Sequence, residues 1–368
     1  MTAPVLSRRA LNRATLARQL LLERVDRPVA DVVEHLGGLQ AQTTHTWYAG
    51  LWCRLEPFDP EAAGQLLTDR ALVRIGLQRS TIHLVTAHDA RWIRPLLDPV
   101  LARTLSSFAR HLDGLDQPAV AAAAGAILEA EPLQWAALGR RLQEDWPGRD
   151  GNALAQVARA RLPLVQLPPR GVWGRSGQAR HTTLEAWLGG STAPRAGTVA
   201  DLFLRYLAAF GPASAKDAQA WCGLTRMQAV ADGLRDRLVT FTAEDGRELF
   251  DLPDAPRPEP GVPAPVRLLY DYDNLLLGHA DRSRFHGTVP PGAAFAGVPP
   301  DTAPGAVLVD GVIRGSWLPH RDRTAAGLTV RTAGITPTEA TAVEAEAGAL
   351  LRFLAPEADP GNVRLVPV

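Results

Sequence analysis

Between residues 198 and 252 the apolar positions fall first into helical and then into alternating runs. Leu202, Phe203, Tyr206, Leu207 and Phe210 share one helical face, behind Thr198, a residue able to cap the helix start. Gly211-Pro212 ends that run. Ser214 is placed to cap a second helix over 215–221, closed by Cys222-Gly223, and Thr225 a third over 226–236. Residues 238–241 and 248–252 then predict two strands around a turn at Asp245-Gly246. Three helices followed by a hairpin is the order of a winged helix.

Weaker versions of the pattern precede it. Helices are expected over 12–24, 28–36, 60–69, 135–143 and 153–162, with a strand over 80–85 and a wing built from 164–167, 172–173 and 179–182. After residue 266 the pattern changes. Strands are predicted over 266–272, 306–309, 312–317, 328–332 and 363–366, with Asp310-Gly311 as a tight hairpin turn. One amphipathic helix over 337–354 carries a Thr336 cap and Glu339 at its third position, a capping box. Pro/Gly-rich stretches at 113–118, 189–197, 253–265 and 287–305 separate the pieces. The expected architecture is α+β, with tandem winged-helix units at 1–112, 119–188 and 198–252, a β-rich domain at 266–368, and a C-shaped arrangement.

Length and composition narrow the class. The 368 residues, 46% of them apolar, suffice for about two to three domains. No apolar run reaches the ~18 residues of a membrane span, and the N-terminus lacks the apolar core of a secretion signal. A cytoplasmic monomer without membrane contact is expected. Cys53 and Cys222 are the only cysteines, which excludes a disulfide framework and a four-cysteine zinc site. No three-ligand metal set, P-loop, nucleophile elbow or dinucleotide fingerprint is visible, so neither metal nor cofactor is expected. Net charge is zero, yet Lys216 is the only lysine among 39 basic residues. GC-rich coding accounts for that bias; arginine forks for phosphate or base contacts are the functional alternative. Residues 70–110 hold seven arginines against two aspartates, so one face can still attract a polyanion.

The densest polar cluster is Gly37-Gly38-Leu39-Gln40-Ala41-Gln42, followed by Thr43, Thr44, His45, Trp47 and Tyr48. In an extended segment Gln40 and Gln42 point the same way. Two amides on one face can hold one water or read adenine edges; two exposed or capping glutamines are the plain alternative.

With WYAGLW at 47–52, RSTIHLV at 79–85, DYDNLLLGHADR at 271–282 and VDGVIRGSW at 309–317, this cluster resembles the AlkZ-like DNA glycosylases. These are winged-helix proteins that unhook DNA interstrand crosslinks. The matches come in the family's order and span residues 12–320. The family's catalytic motif is glutamine, an aliphatic residue, then glutamine or aspartate, which aligns with Gln40, Ala41 and Gln42 and is similar to the two-glutamine subgroup. The resemblance implies a monofunctional glycosylase acting on N-alkylated purines in double-stranded DNA, including crosslinks, in repair or in self-resistance to a DNA-alkylating product. Gln40 and Gln42 would position water at C1′ and favour the developing sugar cation. A tethered lesion opposes full base flipping, so an open concave surface is expected.

Other clusters have two readings. The loop containing Asp271, Asp273, Asn274, His279, Asp281, Arg282 and Arg284 is either DNA-facing, with His279, Arg282 and Arg284 on phosphate or groove, or a hydrogen-bonded turn. Its leucines argue against calcium. His45 and Trp47 are placed beside the glutamines as DNA contacts. His83, on an apolar strand, reads as structural. The 310–311 hairpin, with Arg314, Trp317, His320, Arg321 and Arg323, either probes the minor groove or is a plain barrel hairpin. Asp232 and Asp236 weaken the 226–236 helix as a major-groove reader. A non-catalytic winged-helix DNA-binding regulator is the rival function, and a protein sequestering the alkylating agent is a third.

Overall fold

Three capping boxes start helices where the sequence predicts them. Thr198, Ser214 and Thr336 accept the backbone N–H of Asp201, Asp217 and Glu339, whose carboxylates accept in return. The helices run Val199–Phe210, Ala215–Cys222 and Pro337–Leu354. Arg226 enters the next helix from a left-handed conformation, φ 62°, so Thr225 does not cap it, and the helix is only Met227–Asp232. A computed structural model describes residues 3–189, 197–287, 290, 292–321, 326–359 and 362–368. The linker expected at 189–197 lies mostly outside them, as does Arg323.

Three sheets organise the described residues. The first holds β2 (Leu39–Gln40), β4 (Ile82–Thr86), β3 (Leu72–Gly76), β5 (Leu164–Gln166) and β6 (His181–Thr183), in that order and antiparallel throughout. The second is β1 (Val5–Leu6), β7 (Val239–Ala243) and β8 (Glu248–Asp251), where β1 pairs parallel to β7. The third is β13 (Val363–Pro367), β12 (Ala326–Thr332), β11 (Val312–Arg321), β10 (Gly305–Val309) and β9 (Arg267–Leu268). Helix Pro337–Leu354 packs on it through Val343, Ala347, Leu350 and Leu351.

These pairings cross the expected segment boundaries. β3 and β5 bond across the boundary between 1–112 and 119–188, and β1 belongs to the sheet of the 198–252 unit. The cores straddle the same boundaries. Val73, Val85 and Ile93 pack with Phe203, Phe210 and Trp221, and Leu39, Tyr48 and Leu84 pack with Tyr270, Trp317 and Val343. The helical cluster around Val120, Leu128, Leu138, Leu142 and Val157 is contiguous in sequence, between Leu105 and Leu164, yet through Leu105 and Leu112 it too crosses the first boundary. Residues 172–173 form no strand; Trp173 packs against Tyr48 and Phe353 instead.

Buried ion pairs cross-link the units. Arg18 meets Asp251 and Arg54 meets Asp273, each with two N–H···O bonds of 2.6–2.9 Å and no exposed side-chain surface. Among the described residues, no helix is long and apolar enough to cross a membrane.

Candidate active site

Gly37 and Gly38, at φ 70° and 89°, turn the chain out of helix Val29–His35 and into β2. The turn is tight: a Cβ on Gly38 would lie 2.6 Å from Val85 Cγ1 and 3.1 Å from the Leu84 carbonyl. Gln40 then pairs with His83 across the strands, and Ala41 N–H continues the pairing to the Ile82 carbonyl at 2.8 Å.

The two glutamines differ in exposure but face one stretch of chain. Gln40 is buried at 4% exposure, and its Oε1 accepts Arg79 Nη2 at 2.8 Å. Gln42 is exposed, and its Oε1 accepts the Ile82 N–H at 3.2 Å. Residues 79–82 therefore fix both carbonyl oxygens, and each oxygen keeps one lone pair for a water. Ala41 is held from below, its carbonyl accepting Arg74 Nη2 at 2.8 Å.

The electrostatics beneath the strand are cationic. Arg74 is buried and Arg79 half-buried, and neither forms an ion pair among the described residues. Burial pulls both guanidinium groups down to about 10, for Arg74 with Arg170 adding to the effect. Both therefore stay charged at neutral pH. Burial, then Arg79, pushes His83 down to about 3, which leaves it neutral. Its Nδ1 lies 3.1 Å from the Thr81 carbonyl.

The 271–274 segment runs beside this strand. The Thr43 hydroxyl donates to Asp271 Oδ2, and Asn274 Nδ2 donates to the carbonyls of Gly38 and Leu36. Asp271 is buried, and its Oδ1 has no partner among the described residues. Three non-glycine residues of positive φ border the site: Arg79, Ser80 and Tyr272. Such conformations cluster where the surroundings over-determine them. Sequence reasoning singled out neither Arg74 nor Arg79 nor Tyr272. Arg79 was legible only as part of RSTIHLV; its conformation leaves no mark in the sequence.

Several expected DNA contacts are interior. Trp47 is fully buried, stacks on Tyr48 at 3.6 Å and donates to the Thr44 carbonyl. His279 is buried against the Phe210 carbonyl at 3.0 Å. Arg284 is buried and donates to Thr15 Oγ1 and the Pro212 carbonyl. Trp317 is buried and donates to the Leu269 carbonyl at 2.7 Å. Each has at least one polar atom engaged inside the protein, so these four expected DNA contacts are interior side chains. The Asp310-Gly311 turn is likewise occupied: Arg9 and Arg13 bond to Asp310, and Asn12 donates to the Gly311 carbonyl. It is docked on helix Arg8–Arg18. His45, half-buried, lies 3.1 Å from the Val172 carbonyl, and Arg314, half-buried, donates weakly to Gly334. Arg282 is exposed and makes no ion pair among the described residues; its charge is felt at Arg79.

Chemically, the arrangement offers two fixed amide oxygens, no ionised base on them, and a water-accessible face at Gln42. Among the described residues no group of His, Cys, Asp and Glu is arranged to hold a metal ion.

The family described as DNA glycosylase AlkZ-like matches residues 33–353. The chain is similar to an interstrand DNA cross-link repair glycosylase of Streptomyces sahachiroi, 25% identical over 289 residues, covering 72% of this chain and 75% of that protein. Its fold is similar to the solved structure of the Streptomyces sahachiroi DNA glycosylase AlkZ, with a TM-score of 0.75, 21% identity and full coverage of both chains.

Proposed function

The chain belongs to the AlkZ-like DNA glycosylase family, and on that footing we propose that it hydrolyses the N-glycosidic bond of N-alkylated purines in double-stranded DNA. Interstrand crosslinks are included, as in the function for which its relative is named. Gln40 and Gln42 are its catalytic pair. Repair, or self-resistance to a DNA-alkylating product, is the setting.

Alkylation at guanine N7 or adenine N3 leaves the base cationic and already a good leaving group. As the bond to C1′ stretches, the sugar gains oxocarbenium character. Water then adds to C1′, the alkylated base departs neutral, and the surplus proton passes to solvent. Little general-acid help is needed. The Gln40 and Gln42 oxygens each accept one protein N–H, so their remaining lone pairs can accept the two hydrogens of one water and aim its oxygen at C1′. The Arg79 cation behind Gln40 opposes a sugar cation there. The gain therefore comes mainly from water positioning and less from charge stabilisation. The single observation that carries this reading is that residues 79–82 fix both amide oxygens.

The test is incubation with duplex DNA carrying one N7-alkylguanine, or one purine interstrand crosslink, followed by alkali and a gel. Wild type should yield abasic-site cleavage, and Gln40→Ala and Gln42→Ala should each reduce it strongly. Release that survives both substitutions moves the catalytic pair elsewhere. DNA binding without release from either lesion favours the regulatory reading.

A further inference from the structure

Tyr272 stands out from its surroundings. The residue is 42% exposed, while Asp271, Asp273 and Asn274 are all buried. Its φ is 59°, and the Tyr270 carbonyl accepts the Asp273 N–H at 3.3 Å, so Tyr272 sits third in a tight turn. That position, at positive φ, favours glycine or asparagine. A bulky aromatic there is an outlier, and it is one of three large hydrophobic residues left exposed among those described.

The turn is clamped on every side. Asp271 takes the Thr43 hydroxyl, Asp273 takes two bonds from Arg54, and Asn274 holds the Gly38 carbonyl. Thr43 follows Gln42, and Gly38 precedes Gln40 by two residues. Tyr272 thus lies between the two anchors that fasten residues 271–274 alongside the glutamine strand. An exposed aromatic residue on a clamped turn beside the proposed catalytic strand suits the π-face of a base; such stacking tolerates any sequence.

We propose that Tyr272 is a nucleobase-stacking residue, its ring taking a base of the lesion-bearing DNA held against Gln40 and Gln42. This rests on the glycosylase reading above. The phenol ring is electron-rich, so a cationic alkylpurine is its most favourable partner.

The backbone conformation supplies an unusual test. Tyr272→Gly removes the ring and relieves the positive φ, so a structural role and a stacking role predict different combinations of stability and activity. Tyr272→Phe keeps the ring; Tyr272→Leu keeps bulk without it. On a duplex with a single N7-methylguanine, Phe should stay within about twofold of wild type in single-turnover release. Leu and Gly should fall about ten- to hundredfold, with the thermal midpoint of Tyr272→Gly at or above wild type. Release by Leu and Gly variants within about twofold of wild type overturns the stacking and leaves the glycosylase intact. If wild type releases nothing, the glycosylase reading fails, and stacking is judged on duplex carrying 2-aminopurine in a mismatch. Fluorescence quenching by wild type that Tyr272→Gly abolishes supports it; equal quenching by both, or none by wild type, overturns it.

Discussion

Arg79 Nη2 stands 2.8 Å from Gln40 Oε1, while Nη1 of the same guanidinium stands 2.6 Å from the Trp221 carbonyl. One planar group thereby joins the glutamine strand to helix Ala215–Cys222. It also dictates which end of the Gln40 amide is the oxygen. Arg79→Met removes both donors and frees that amide to rotate. Lesion release should drop about tenfold or more, the scale of a hydrogen bond to a charged group. Arg79→Lys, which can keep one donor, should recover part of it. Single-turnover rates alongside anisotropy with undamaged DNA separate this effect from lost DNA affinity.

Asp273 and Arg54 form a buried pair that also anchors the turn beside the site. Asp273→Asn leaves Arg54 as an uncompensated buried cation, and breaking such a pair costs about 3–5 kcal/mol. The urea midpoint should fall accordingly. Replacing both partners with apolar residues of similar volume should restore much of the loss, because no charge is then stranded. A double variant no better than the single one would contradict this account.

Gly38 tolerates no side chain. Its φ of 89° is unfavourable for an L residue, and a Cβ would meet Val85 and the Leu84 carbonyl. Gly38→Ala should destabilise the protein by more than about 1 kcal/mol. It should also lower lesion release beyond that loss, since the strand carrying Gln40 must shift. Activity measured well below the melting temperature distinguishes the two effects.

Buried histidines set the acid limit. Burial pushes His83 down to about 3 and His181 to about 4, and holds His279 well below its ordinary value of 6.5. With the folded value below the unfolded one, the stability contribution is complete above about pH 6.5 and is lost as pH falls towards the folded values. Unfolding near pH 5.5 should therefore take up about one proton per histidine, each worth up to about 1.4 kcal/mol per pH unit. Urea midpoints at pH 7.5 and 5.5 measure this. Equal midpoints would contradict it.

Local signals in the sequence carried far. The pairs Thr198–Asp201, Ser214–Asp217 and Thr336–Glu339 announce helix starts through chemistry contained within four residues, and Asp310-Gly311 announces its turn in two. Gln40 and Gln42 were legible as neighbouring acceptors. What was not legible depends on partners distant in the chain. Leu72–Gly76 hides as a strand because Arg74 interrupts its apolar run, and that arginine is nevertheless buried, with Nη2 on the Ala41 carbonyl. Trp47, His279 and Trp317 are residue types that commonly touch DNA, yet a ring nitrogen of each meets a carbonyl inside the protein. The β3–β5 pairing joins residues separated by a whole helical unit, and no local pattern encodes it.

The interleaved sheets bear on the order in which the protein becomes competent during synthesis. A ribosome that has delivered residues 1–260 has already released both glutamines, β4 and Arg79. It has not yet made Asp271 or Asn274, which hold Thr43 and Gly38 in place. The nascent chain therefore carries its two glutamines long before it carries the fastenings of their strand. Competence arrives late and in one step, when the 271–274 turn docks.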